Sequence, residues 1–172
     1  DARRFSELLN SCALNNKTGL GMTICLGDRS TQLNEAEKDV QEFNNNSQKL
    51  ISRILKQKWR IFDKGLYLFI NAEGIIEADY VGHLSRLLGS HYQFMNKVII
   101  MKTAIDENYS KYFFSSLLKG AIDVQQMTKE LSESVSGITI TFNNAEGQIV
   151  VPPAQEESLM AIIQKQIKKI PK

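Results

Sequence analysis

Leu66-Tyr67-Leu68-Phe69-Ile70, an unbroken apolar run opening just after Gly65, decides the fold class. A strand buried on both faces reads as a continuous apolar run rather than as an alternation, and a run this short is strand-length rather than helix-length. Lys97-Val98-Ile99-Ile100-Met101 repeats the pattern. Between the two, residues 79–88 carry Val81, Leu84, Leu87 and Leu88 on one face at helical spacing. Residues 111–118, 137–142 and 148–151 read as three more strands, with a helix around 124–131 and a closing helix over 155–170 bearing Leu159, Ile162, Ile163 and Ile167. Pro152-Pro153 ends the last strand, because proline has no N–H to give to a ladder. Interleaved strands and helices make the expected class α/β: a mixed sheet of about five strands flanked by helices.

Toward the N-terminus the texture is helical. Phe5, Leu8, Leu9 and Cys12 mark an amphipathic helix over residues 2–14, broken by Asn15-Asn16-Lys17. Thr18 is a candidate cap for a short helix, 20–26, that is apolar nearly all round and is therefore expected to be buried. Residues 31–58 then carry a narrow helical stripe: Leu33, Ala36, Val40, Phe43, Leu50, Ile51, Ile54 and Leu55. The expected division is a helical arm at 1–62 and an α/β domain at 63–172.

The 172 residues, 42% hydrophobic and 23% charged, suffice for a buried core and exclude a disordered chain. A net charge of +2 does not by itself point to nucleic acid. Local clusters do carry positive charge: Lys56, Lys58, Arg60 and Lys64, and again Lys165, Lys168, Lys169 and Lys172. The first is the candidate nucleic-acid contact; the bland alternative for either is a solvated face. Cys12 and Cys25 sit in apolar stretches without CxxC spacing, which predicts small buried hydrophobes, no zinc site and no disulfide framework. That usage fits a reducing, cytoplasmic setting. No apolar run approaches the length of a membrane span, and the chain opens inside a helix, as a fragment or trimmed chain would.

Catalytic chemistry needs convergent groups, and few are on offer. His83 and His91 are too far apart for a helical metal pair, Asp106-Glu107 has no partner in view, and Gly19-Leu20-Gly21 lacks the rest of a phosphate loop. The residues predict no catalytic centre, no metal and no cofactor.

Phe5-Ser6-Glu7-Leu8-Leu9-Asn10-Ser11-Cys12 followed by Gly19-Leu20-Gly21-Met22-Thr23-Ile24-Cys25-Leu26-Gly27-Asp28-Arg29 resembles a segment of archaeal RecJ-like proteins, where a "LLNACGR" helix precedes "LGxAxxLGD" and a long helix. These belong to the DHH phosphoesterase superfamily. Tyr80-Val81-Gly82 resembles the "IVG" helix that opens the family's C-terminal, DHHA1-like domain. The family's manganese or magnesium chemistry comes from an N-terminal domain with a DHH triplet, which this sequence does not contain. The family's C-terminal domain grips nucleic-acid phosphate with a GGGH-xx-AAG motif, whose glycines let backbone N–H groups approach closely. The matching stretch here is Thr139-Ile140-Thr141-Phe142-Asn143-Asn144-Ala145-Glu146-Gly147. Only Ala145 and Gly147 survive: β-branched residues replace glycines, Phe142 replaces the histidine, and Glu146 places a carboxylate beside the phosphate. Ser115-Ser116-Leu117 likewise carries no guanidinium where the family has serine-alanine-arginine. If residues 139–142 form a strand, Ile138 and Ile140 share one face and Thr139 and Thr141 the other, with Ile140 in the core and Phe142 filling the space of the imidazole. Truncating Ile140 would then cost about 2–5 kcal/mol.

The resemblance implies the inactive branch: a non-catalytic DNA-replication protein that associates with the GINS complex, and through it with the MCM helicase, with weak salt-sensitive single-stranded DNA contact through Lys56, Lys58, Arg60 and Lys64. Two other readings stay open at this stage. One is the DNA-binding portion of a RecJ-type single-strand exonuclease whose DHH domain is absent from this chain; the other is an unrelated α/β interaction domain.

Overall fold

The computed structural model describes residues 2–28, 30–90, 97–115, 123–142 and 146–167. Two compact units divide it at Ser52/Arg53, ahead of the boundary expected at 62/63.

In the first unit, α1 (Ala2–Leu14), α2 (Thr18–Cys25) and the start of α3 (Thr31–Lys56) pack around Leu8, Cys12, Ile24 and Ala36. Ion pairs tie the ends of this core together. Arg4 meets Glu37 at 2.6 Å, and Lys17 meets Asp39 at 2.8 Å and Glu35 at 3.6 Å. The expectation of a fully buried second helix does not hold. Gly21 and Ile24 are buried, but Met22 and Leu26 are 65% and 85% exposed and Cys25 is exposed. Thr18 is the first helical residue rather than the cap, and Lys17 in the cap position makes no side-chain capping bond. An eight-residue helix at the surface of this small core buries only the stripe that faces its neighbours, whatever its composition. Its outer residues, with Leu9, Cys12 and Ala13 of α1, line an open apolar groove of about 390 Å³. Cys12 matches its sequence reading: it is buried, and burial pushes its thiol up from the ordinary value, with Asp39 adding to the effect.

The second unit is a six-stranded mixed sheet. Its strands are β1 (Ile61–Asp63), β2 (Tyr67–Asn71), β3 (Val98–Ala104), β4 (Ser110–Ser115), β5 (Thr139–Phe142) and β6 (Glu146–Val151). Spatial order is β1-β2-β3-β4-β6-β5, with β2 and β3 parallel and every other pair antiparallel. The parallel pair needs a crossover, and α4 (Val81–Gly89) supplies it. α5 (Val124–Ser134), capped by Asp123, which accepts from the Gln126 N–H, and α6 (Glu156–Ile167) cover the other face. The strand missed in the sequence is β1. It is three residues long between basic residues, too short for any periodicity to register.

Alternation across the pleat sorts the side chains. Tyr67, Val98, Ile100, Tyr112, Phe114, Ile149 and Val151 form one core with Met127, Leu131, Leu159, Ile163 and Ile167 from α5 and α6. On the opposite face α4 lies close enough that a Cβ at Gly82 would sit 2.9 Å from the Phe113 ring, so glycine is what lets the helix seat there. Lys102, only 15% exposed, is anchored by Glu156 at 2.8 Å and Glu73 at 3.8 Å.

β5 is an edge strand, and this corrects the expectation for Ile140. It packs on the core but is only half-buried, whereas Ile149, its register partner one strand inward, is fully buried. Ile149→Ala should therefore cost about 2–5 kcal/mol and Ile140→Ala about 1 kcal/mol, read from urea denaturation of both variants. Equal losses would contradict the edge placement.

Candidate nucleic-acid interface

The degenerate motif lies on β5 and β6. Thr139 and Thr141 are exposed on the α4 side of the sheet, and Ile140 and Phe142 are half-buried on the other. Ala145, with Asn143 and Asn144, falls outside the described residues, as do Ser116, Leu117, His91, Lys168, Lys169 and Lys172.

Gly147 is the informative position. It is an interior ladder residue, registered with Phe114 of β4 on one side and Phe142 of β5 on the other. The Phe142 ring lies directly across it, occupying the space a Cβ would need, and contacts Phe114 at a centroid distance of 6.3 Å. A residue paired on both sides in the ladder, with a ring edge in the space beside its Cα, is not a phosphate cradle, which requires unpaired N–H groups converging on open space.

On the other face, at the same end of the sheet, α4 brings Ser85 and Arg86 to the ends of β4 and β6. Ser85 Oγ lies 2.9 Å from Ser115 Oγ, a buried hydroxyl pair. Arg86 Nε donates to Glu146 Oε1 at 2.6 Å, and the guanidinium carbon is 5.8 Å from the Phe113 centroid. So a guanidinium does reach this end of the sheet, from the helix rather than from the strand, and Glu146 holds it. Nothing local in the sequence signals a pair sixty positions apart. The neighbouring His83 is half-buried; burial chiefly, then Arg86, pushes its imidazole below its ordinary value. With the Arg86 side chain half open to water, the Arg86–Glu146 pair is worth at most about 1 kcal/mol, so it masks the guanidinium more than it stabilises the fold.

The basic cluster occupies the opposite edge. Lys56 ends α3, Lys58 stands in a single 3-10 turn over Lys58–Arg60, and Lys64 follows β1; all three are exposed. Arg60 differs. Its Nε donates to Gln57 Oε1 at 2.7 Å, and one Nη donates to the backbone carbonyls of Asn71 and Glu73 at 3.2 and 2.9 Å. Its guanidinium also lies 4.3 Å from the centroid of Trp59. This residue is structural first, and the lysines are the charges left facing solvent. Trp59, 66% exposed among them, went unremarked in the sequence, although an aromatic within a basic cluster is a recognisable single-strand signal.

Among the described residues no three His, Cys, Asp or Glu side chains gather as a metal site would, and no helix is long and apolar enough to cross a membrane.

No protein-family model matches the chain, and no curated protein matches it. Solved structures do match in fold. RecJ of Thermus thermophilus in complex with magnesium aligns at TM-score 0.66 and 11% identity, over 96% of this chain and 25% of that one. The DHH domain of a member of a family of ribosomal proteins aligns at 0.71 and 16%, over 100% and 43%. An exonuclease RecJ bound to manganese aligns at 0.63 and 11%, over 98% and 40%. The fold is thus that of RecJ and DHH-domain proteins, and the chain spans between a quarter and about two fifths of the length of these structures.

The ring-on-glycine contact is open to a double-mutant cycle. Gly147→Ala should cost about 1–3 kcal/mol by overpacking, and much less on a Phe142→Ala background where the ring is gone. Losses that add within about 0.5 kcal/mol in denaturant melts would show that Phe142 does not occupy that space.

Proposed function

We propose that the chain is a non-catalytic, RecJ-like DNA-replication module that associates with the GINS complex and through it with the MCM helicase, making at most a weak single-strand contact of its own. The observation that carries this reading is the Phe142 ring seated on Gly147, with Glu146 engaging Arg86 nearby. A nuclease half that must hold a DNA backbone gains from open N–H groups and free cations at this end of the sheet. Here packing has taken the first and a carboxylate the second. Residues released from gripping phosphate are free to serve as scaffold.

A second reading keeps the chain as the DNA-binding portion of a RecJ-type exonuclease. It is favoured by the fold likeness to magnesium- and manganese-bound RecJ structures, of which the chain spans only a part.

Two assays separate the readings. Tagged GINS subunits should retain the chain through a salt wash, and single-stranded DNA should stay intact with the chain and manganese. Failure of GINS to retain it would overturn the scaffold reading. Degradation abolished by EDTA and absent from a mock purification would establish the exonuclease instead.

A further inference from the structure

Residues 56–66 form the β1 edge of the sheet, and several features there have no structural employment. Trp59 and Phe62 are 66% and 46% exposed, and Leu66 is 39% exposed. Large aromatic surface left in water invites a partner, especially when gathered in one short segment. The setting of Trp59 is unusual for a surface ring. The Arg60 guanidinium stacked on it is itself fixed by three hydrogen bonds to Gln57, Asn71 and Glu73. The indole is therefore held in place before any partner arrives, which lowers the ordering cost of binding. Phe62 is likewise supported from behind. It packs on Phe69 at 5.9 Å between centroids, and Phe69 lies 6.5 Å from Tyr112, so Phe62 is the outer end of an aromatic row that runs into the core.

Charge selects the partner. Lys56, Lys58 and Lys64, in the same short segment as these rings, are exposed. Asp63, the one carboxylate in the segment, is taken up by Lys97 at 2.5 Å and held below the usual carboxylate range by that bond and by the Gly65 N–H. Supported aromatic faces within a positively charged surround complement a polyanion whose flat bases are exposed. In a duplex those bases are stacked on one another and shielded; in a single strand they are available. We propose that Trp59 and Phe62 are a stacking platform for unpaired bases of a single-stranded nucleic acid, with Lys56, Lys58 and Lys64 on its phosphates. This deepens the weak single-strand contact of the proposed function and rests on that reading. It is tested separately, because retention by GINS does not report on Trp59.

Trp59 is the only tryptophan in the chain, so its fluorescence reports on this surface alone. Titrating the full chain with an oligothymidylate at low salt should quench the emission to saturation, and a duplex of matched length should leave it nearly unchanged. Measured by anisotropy of a labelled oligothymidylate, Trp59→Ala should weaken binding about 10- to 100-fold, and Trp59→Phe should restore most of it. Changing Lys56, Lys58 and Lys64 together to glutamine should flatten the slope of log affinity against log salt by about 2. Binding that saturates with no change in Trp59 emission, or that Trp59→Ala leaves intact, would overturn the assignment. So would an emission shift caused by phosphatidylserine vesicles and not by the oligonucleotide, which would make the patch a membrane contact. Because Trp59 is mostly exposed, both variants should melt close to the parent; Trp59→Phe that folds but fails to bind would count against the platform as firmly as Trp59→Ala that binds.

Discussion

The Phe142 ring can bring its Cδ1–Cε1 edge against Gly147 only because that residue has no Cβ, and the arrangement of this sheet edge depends on that contact. It fixes the register of β5 on β6, since a slip of one residue would turn every side chain of the strand to the other face. With the register fixed, Ile140 stands opposite Ile149, the two threonines face the α4 side, and Phe142 reaches Phe114. Gly147 is the glycine that the resemblance would align with a phosphate-binding pattern, and here an aromatic ring fills the space beside it. The same residue type serves opposite ends: close approach of a ligand in one case, close approach of a ring in the other.

The legible parts of the fold were those with a periodicity long enough to register. The apolar runs at 66–70 and 97–101 marked the parallel core pair, and the spacing of Val81, Leu84 and Leu88 marked the crossover helix that joins them. Misreadings occurred where context overrides composition. Residues 20–26 are apolar enough to be buried, yet a short helix packed through one stripe leaves Met22 and Leu26 in water. Ile140 reads like a core residue, yet its strand falls at the edge, and edge position is a property of topology that no local pattern encodes. Of the site, the absence of glycines at 139–142 was visible in the sequence. The Arg86–Glu146 and Ser85–Ser115 contacts were not, because each joins residues that only the crossover of α4 brings together.

The two edges of the sheet carry different chemistry. At the β4–β6 end, Ser85 and Ser115 pair hydroxyl to hydroxyl, Arg86 pairs with the Glu146 carboxylate, and the Phe142 ring fills the space beside Gly147. At the β1 edge, Arg60 and Asp63 are satisfied, and by being so leave Trp59 and the lysines facing solvent. A fold shared with RecJ and DHH-domain structures thus carries a self-satisfied end and a charged, aromatic edge on one sheet. Function belongs to sites rather than to the fold that carries them.

If the β5–β6 end does not receive phosphate, the Gly147 amide is where that shows. In a nitrogen-15 correlation spectrum of the full chain, inorganic phosphate and then an oligothymidylate would be titrated while that resonance is followed. It should hold its position, and the Arg86 side-chain signal with it, as the Trp59 indole signal moves with the oligonucleotide. A saturable shift of the Gly147 amide, accompanied by release of Arg86 from Glu146, would mean that this end does receive phosphate and that the cradle is covered rather than absent.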